Sequence, residues 1–395
     1  MKYSKIIILV SLIGLLSVGI FTFKSYKKAS KLNDITLSLT EIKKQNFLNQ
    51  QLAVLYASST TQELQKGKGN SQVIFIDNQG NARGLKLSGL ENGSTYFNKN
   101  DLFIEESNRV MLLSKKLITY NMPSEEFRGI QTGYLPKTKQ YYSLYNTGFS
   151  KTEDYISTIR YGGEDMIHNT QIPYFISTTG QLSDCLLVVT QDLISGEFAL
   201  QEVRLQSKAK TKKLLDLPLK NAEELDAISP VVVDHQHFYF VMSYYQAENR
   251  EDLRLVIINR DTKKVKEIPF IQYRSKYQVE NGLPFNFNHS AYINNGHFYY
   301  VNGLGEIYEY NVANGEIKKT LQLSYEKKGN SRFEQVTFEN NQIHHIYSDE
   351  KQQFYLETYD LSSKKKIYTK KVQNLENVLP MSNKHYFLTN LEVLQ

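Results

Sequence analysis

Between His289 and Leu323 short runs rich in Tyr, Phe, Val and Ile alternate with the polar turns Asn294-Asn295-Gly296, Asn302-Gly303-Leu304-Gly305 and Asn314-Gly315. Turn residues that tolerate positive φ, set between aromatic and β-branched runs, predict four antiparallel strands in a meander. One such meander is one blade of a β-propeller. Its first half, two strands joined by a tight turn, falls at Ser290 to Val301 and recurs near Ser94 to Ile104, Thr132 to Leu144, Pro173 to Val189, Pro230 to Val241, Gln335 to Tyr347 and Val378 to Leu388. Its second half recurs at Leu255 to Ile268, Ile307 to Leu321 and Phe354 to Tyr368, and Ser71 to Leu87 matches it too. The predicted fold class is therefore all-β, a propeller over residues 71–395 with a repeat of about 40 to 60 residues.

A ring of blades must close, because open sheet edges would otherwise stay unpaired. The chain ends on Tyr386 to Thr389 and Leu391 to Leu394, an incomplete unit that needs strands from the N-terminal side. The hairpin 72–88, or the stretches 35–40 and 52–57, can supply them. If 72–88 completes the last blade the propeller has seven blades; if 50–88 forms a blade of its own it has eight, and seven is the expectation. Residues 32–70 read as a linker with a closing strand or helix: Ile35, Leu37 and Leu39 alternate as a strand does, while Gln45 to Ala57 mixes helix formers with alternating Leu52, Val54 and Tyr56.

The longest apolar run is different in kind. Residues 6–23 carry no charge over 18 positions, with Lys2 and Lys5 before them and Lys24, Lys27, Lys28 and Lys31 after. At about 1.5 Å per residue this length just spans a bilayer as a transmembrane helix. A cleaved signal peptide is the rival reading, but Phe21-Thr22-Phe23-Lys24 offers no small-x-small cleavage site. Residues 1–31 are therefore expected to be an N-terminal membrane anchor with basic flanks. The lysine count on the two sides weakly favours a domain kept inside; a short N-terminal tail before a large domain favours a signal anchor. The expectation is a single-pass protein of the cell membrane with its domain on the extracytoplasmic side.

Charge confirms that the anchor region stands apart. Residues 1–31 hold six Lys and no acid, which accounts for the whole net charge of +6 and leaves 41 basic against 41 acidic residues in the remainder. A nucleic-acid role needs a basic stripe on the folded part, and this balance speaks against one. Lys208 to Lys213 and Lys364-Lys365-Lys366 fall in predicted hairpin turns and read as solvated. The single Cys185 sits in an apolar strand-like run, as a buried thiol does, so the domain relies on packing without a disulfide.

Candidate chemistry is sparse. His237, His297, His344 and His385 each precede an aromatic or apolar pair and are expected to open the second strand of their blades, too far apart to share a metal. His235 and His237 beside Asp234 form the one local metal-like spacing and lack a third ligand. No nucleophile elbow, His-Glu-x-x-His, dinucleotide fingerprint or calcium loop is present. Glu248, Glu251 and Asp252 are carboxylates in a predicted turn, where a solvated loop is the default. The sequence thus names no catalytic residue, no cofactor and no metal site.

Tyr299-Tyr300-Val301-Asn302-Gly303 followed by Glu306 to Asn311 resembles the strand pair of tyrosine-valine-asparagine and quinoprotein-like bacterial propeller repeats. Together with the anchor, the chain resembles uncharacterised membrane-anchored propellers of bacterial envelopes. The Trp-Asp ending, the paired-glycine kelch signature and the sialidase aspartate box are missing, so no site residue carries over. Two functions stay open. One is a binding or scaffolding module for an envelope protein, peptide or glycan. The other is a propeller enzyme of glycoside hydrolase or lyase type with an axial active site. Two carboxylates converging on the axis would favour the enzyme; an apolar or aromatic axial surface would favour binding.

Overall fold

The computed structural model describes residues 35–394 except 220–224, 247–249, 276–281 and 325–330; the apolar run 6–23 lies outside them. Seven antiparallel sheets succeed one another as the blades of a propeller. Blade 1 comprises Thr95–Asn98, Asp101–Glu105, Arg109–Leu113 and Leu117–Asn121, and blade 2 Gly129–Leu135, Gln140–Phe149, Tyr155–Gly162 and Ile167–Ile172. Blade 3 comprises Phe175–Gln181, Leu186–Gln191, Phe198–Arg204 and Lys210–Leu217. Blade 4 has its inner strand broken into Leu225–Ala227 and Val232–Val233, both paired to His237–Gln246, followed by Arg250–Asn259 and Val265–Gln272. The break falls at Pro230, which has no N–H to donate to the ladder. Blade 5 comprises Ala291–Asn294, His297–Val301, Glu306–Asn311 and Ile317–Gln322; blade 6, Gln335–Glu339, Gln342–Ser348, Phe354–Asp360 and Lys365–Val372.

Blade 7 closes the ring. Its inner strand is Tyr386–Val393, which pairs with Gln51–Ser59, followed outward by Ser71–Asp77 and Ala82–Leu87. The count is seven, and both the hairpin 72–88 and the strand at 52–57 enter the closing blade. One predicted hairpin is corrected: over Val378 to Leu388 the chain makes the end of a single helical turn, Leu375–Val378, and then the one inner strand, whose partner comes from the other end of the chain. Local pattern distinguishes a strand from a turn, but not which distant strand will lie beside it. Ahead of the ring, Leu39–Ile42 is a short helix closed by a Ser38/Glu41 capping box, so the alternation at Ile35, Leu37 and Leu39 does not continue as a strand.

The apolar side chains form seven clusters, one at each seam between neighbouring blades. A middle strand therefore has both faces covered, which is why Gln51–Ser59 is buried at all nine positions instead of at every second one. Outer strands alternate or are open, as in Lys365–Val372. The turn Asn294-Asn295-Gly296 holds Asn295 at φ 49° and Gly296 at φ 76°, the left-handed pair that a two-residue hairpin of this twist requires. Among the described residues no helix is long and apolar enough to cross a membrane.

Candidate functional site

Each blade runs as an antiparallel meander from its inner strand outward, so all inner strands share one direction and the ring has two unlike faces. One face carries the starts of the inner strands, the connections between blades and the turns between second and third strands. The other carries the ends of the inner strands and the remaining turns.

At the first face the connection from blade 4 to blade 5 does not skirt the channel but plugs it. The Asn288 side chain donates to the Ile130 carbonyl of blade 2, Asn286 Nδ2 to the Thr389 carbonyl of blade 7 at 2.8 Å, and Ser290 Oγ to the Ile228 carbonyl of blade 4 at 3.0 Å. Gln335 Nε2 of blade 6 donates to the Phe285 carbonyl at 3.2 Å. Only a segment crossing the axis can meet blades 2 and 7 together. A three-residue 3-10 turn, Phe287–His289, with the Asn286 side chain accepting from Asn288 N, keeps it compact.

Beneath the plug Asn390 is the hub. Thr95 N can only donate, and it meets Asn390 Oδ1 at 3.1 Å, with Thr95 Oγ1 at 2.8 Å. The amide nitrogen must then face His289 Nε2 at 3.2 Å, so that nitrogen accepts and the proton sits on Nδ1, where it reaches Thr337 Oγ1 at 3.2 Å. Burial agrees with this neutral ring, lowering its pKa to about 4. Thr337, His289, Asn390 and Thr95 thus tie blades 6, 7 and 1 through the plug.

Further along the axis Glu392, penultimate in the inner strand of blade 7, has its pKa raised to about 8, mainly by burial and further by the charge of Glu339 at the end of the blade 6 inner strand. Tyr96 is raised to about 12 by burial and by both carboxylates. Half-buried Glu392, exposed Glu339 and Tyr96 therefore lie within range of one another's charge toward the end of the channel away from the plug. A proton held by Glu392 near neutrality makes it a hydrogen-bond donor or general acid.

On the same face a cleft of about 910 Å³ opens across the turns of blades 2 to 5, lined by Gln181, Asp184, Asp234, His235, Arg260 and Asn294 among others. Its polar groups are largely hydrogen-bonded. Arg260 Nη1 donates to the Asp234 carbonyl at 2.8 Å, and Asp184 pairs with Arg204 at 3.1 Å. Asp234 accepts from His237 N at 2.6 Å and from the Tyr239 hydroxyl at 2.8 Å.

The plugged face carries most of the exposed large apolar side chains. Phe127 lies in the connection to blade 2, Phe149 at the top of its second strand, Leu193 and Ile194 in the blade 3 turn, and Leu283 and Phe287 in the plug segment. These are six of the nine exposed large hydrophobic side chains among the described residues, and Ile194 is fully exposed. Phe149 and Phe175 each set a ring edge against Tyr155 with centroids 5.2 Å apart, so the aromatic part is a built surface. Below it the fully buried Arg160 donates to the Glu106, Ser107 and Ser124 carbonyls at 2.8 to 2.9 Å and stacks on Tyr145 at 4.6 Å. It fixes the loops that carry Phe127. Glu105, accepting from Ser94 N and Oγ, is raised to about 7 by burial.

The residues singled out in the sequence disperse. His237 and His297 do open second strands, but His344 is third in its strand and His385 precedes the inner strand of blade 7. The aromatic pairs that follow them mark any buried strand and carried no register. His237 Nδ1 stands 3.9 Å from Asp234, His235 is exposed on the cleft, and no group of three metal-ligating side chains occurs among the described residues. Glu251 and Asp252 are buried in a blade 4 strand and Glu248 lies outside the described residues. Cys185 is buried and its thiol is pushed up to about 12, chiefly by burial. His289, Asn390, Glu392 and Glu339 escaped sequence reading. Their one signal was polar residues interrupting predicted inner strands.

The solved structures of a puromycin-hydrolyzing peptidase of Mycobacterium tuberculosis (9% identity, 88% of this chain and 56% of that one, TM-score 0.49), of Saccharomyces cerevisiae Sqt1 (10%, 76% and 79%, 0.48) and of BamB from Moraxella catarrhalis (10%, 71% and 75%, 0.40) are similar in architecture. The uncharacterized protein YycP of Bacillus subtilis (strain 168) is 25% identical over 399 residues, covering 99% of both chains. The YycP β-propeller domain model matches residues 46–394, from just before the first strand of the closing blade to the end of its inner strand, and the chain belongs to the YycP β-propeller family.

Proposed function

We propose that this propeller is an extracytoplasmic binding module, held at the cell membrane by residues 6–23, that takes an envelope protein or peptide on the plugged face. The observation that carries the reading is the gathering of Phe127, Phe149, Leu193, Ile194, Leu283 and Phe287 on one face of the ring. Contiguous apolar surface rimmed by polar loops is what protein partners bury. Aliphatic Leu193, Ile194 and Leu283 suit a protein or peptide better than a glycan, whose hydroxyls need hydrogen-bonding partners.

The test is photo-crosslinking in intact cells. A crosslinker at Ile194 or Leu283 should give one discrete adduct, lost with Phe149→Asp, while the same probe at Asp184 or Asn295 gives none. Equal adducts from both faces, or none from the apolar one, would overturn the reading. External protease should remove the domain from intact cells; protection would reverse the proposed orientation.

Glu392 and Glu339 favour a second reading, acid and base chemistry on a glycan that reaches the channel from the open end. Turnover of envelope glycans by the purified protein, abolished by Glu392→Gln and accompanied by no adduct at Ile194, would make the protein an enzyme instead.

A further inference from the structure

We propose that the outer wall formed by blades 6 and 7 is a docking surface for an anionic phospholipid bilayer. The orientation of this wall rests on the reading of residues 6–23 as the anchor. Between Leu361 and Val372 there are five lysines and no acid, and the outer strand of blade 6 presents Lys365, Ile367, Tyr368 and Lys371 to solvent. Lys366 pairs with Glu357 at 2.8 Å and Lys364 with Glu309 at 3.5 Å, so the charge on offer is that of Lys365, Lys370 and Lys371. A bulge sets Ile367 between the pairs Thr358/Tyr368 and Tyr359/Lys366, so two neighbouring apolar side chains both face outward, 53% and 40% exposed.

Lysines on an edge strand can serve only to block sheet-to-sheet pairing. That purpose does not explain this strand, because an exposed Ile-Tyr pair works against it, and no other outer strand joins that pair to lysines on both sides. Lysines around exposed aromatic and aliphatic groups are the composition that meets a headgroup layer.

The position of the wall supplies the second observation. Blades 6 and 7 are stitched at their outer edges by Ala82 N to the Gln373 carbonyl at 2.9 Å and Gln373 N to the Gly80 carbonyl at 2.8 Å. Onto the same edge comes the N-terminal segment, with Leu37 N donating to the Gly84 carbonyl at 2.8 Å. Residues 24–36 are all that separate this contact from the apolar run, a reach of at most about 45 Å when fully extended. Around the contact Lys43, Lys44 and Lys86 are exposed, and Glu41 is neutralised by Arg83 at 2.7 Å. A short tether thus holds a basic wall within reach of the membrane surface, where anionic headgroups attract each lysine.

The test uses the full chain reconstituted in nanodiscs of phosphatidylcholine alone or with 30% phosphatidylglycerol, with a fluorophore on Ile367→Cys and spin-labelled lipids as quenchers. Quenching is expected only in the anionic discs. It should fade with added salt and fall on replacing Lys365, Lys370 and Lys371 by Gln, each weakening association roughly fivefold. An unquenched probe in anionic discs, or quenching that ignores both lipid charge and the three substitutions, would overturn the proposal. A chain that fails to integrate would count against the anchor instead. Flotation of that same protein with the two kinds of vesicle would then decide the wall, flotation with the anionic vesicles alone supporting it and with neither overturning it.

Discussion

At the face where the inner strands begin, Phe149, Ile194 and Leu283 stand exposed above a channel stopped by Asn286, Asn288 and His289. At the opposite face Asp184 pairs with Arg204 and Arg260 donates to the Asp234 carbonyl around an open cleft, and half-buried Glu392 lies toward the channel end. Both faces are turns on the same seven sheets, and an apolar cluster fills each seam between blades. Secondary structure therefore constrains the ring and leaves its faces free to diverge, so function has to be read from the faces.

The sharpest way to break this contrast is to remove the support of one face alone. Arg160→Met should cost about 3 to 5 kcal/mol, because three buried carbonyls lose their donor. Hydrogen exchange should rise at residues 106–108 and 122–128 and stay unchanged at the turns of the other face. Uniform loosening would mean that the faces are not independent. Next comes Asn390→Ala, expected to cost about 2 to 4 kcal/mol by taking the side-chain partner from Thr95 N and from His289 Nε2, measured by denaturant midpoint.

Titration should separate the ends by a smaller amount. The carboxyls of Glu392 and Glu334, each raised to about 8, prefer the neutral form in the folded state, so their contribution is full below about pH 4.5 and is lost as pH rises through 8. His289, His344 and His345, lowered to about 4, act oppositely: their contribution is full above about pH 6.5 and is lost as pH falls through 4. The melting temperature should therefore peak between these limits. Glu392→Gln should flatten the alkaline limb through the open end, and Glu334→Gln through the plugged end. An unchanged limb in both would show that other groups set it. The smallest effect on stability is expected for Ile194→Ser, within about 0.5 kcal/mol of the parent by thermal melt, because a fully exposed side chain gives up no packing.

How much of this was legible follows from range. Asn294-Asn295-Gly296 announced its hairpin because a positive-φ turn is encoded in two adjacent residues, and similar strand-turn-strand runs along the chain pointed to a propeller while leaving seven or eight blades open. The incomplete unit at Tyr386 to Leu394 pointed to closure, since an unpaired edge is a physical cost visible from the end of the chain. Plug and hub left no such trace. Asn286-Phe287-Asn288-His289 reads as an ordinary loop until blades 2, 6 and 7 surround it, and Glu392 reads as a surface residue until Glu339, 53 positions earlier in the sequence, lies near it. Phe149 and Ile194, scattered in sequence, become a surface only once the up and down of every strand is known.

Ring closure sets a timetable. Tyr386 trails Ala57 by 329 residues, and the two meet through the Tyr386 hydroxyl and the Ala57 carbonyl at 3.3 Å. At about 5 to 20 residues per second the ribosome needs roughly 15 to 65 seconds to deliver that partner. For all of that time the wholly apolar stretch Leu52 to Ala57 has one hydrogen-bonding edge vacant, and a vacant edge recruits whatever strand is nearest. The nascent protein must therefore be shielded until Tyr386–Val393 emerges, and a chain cut short of that strand would be open and self-associating in place of a slightly shorter propeller.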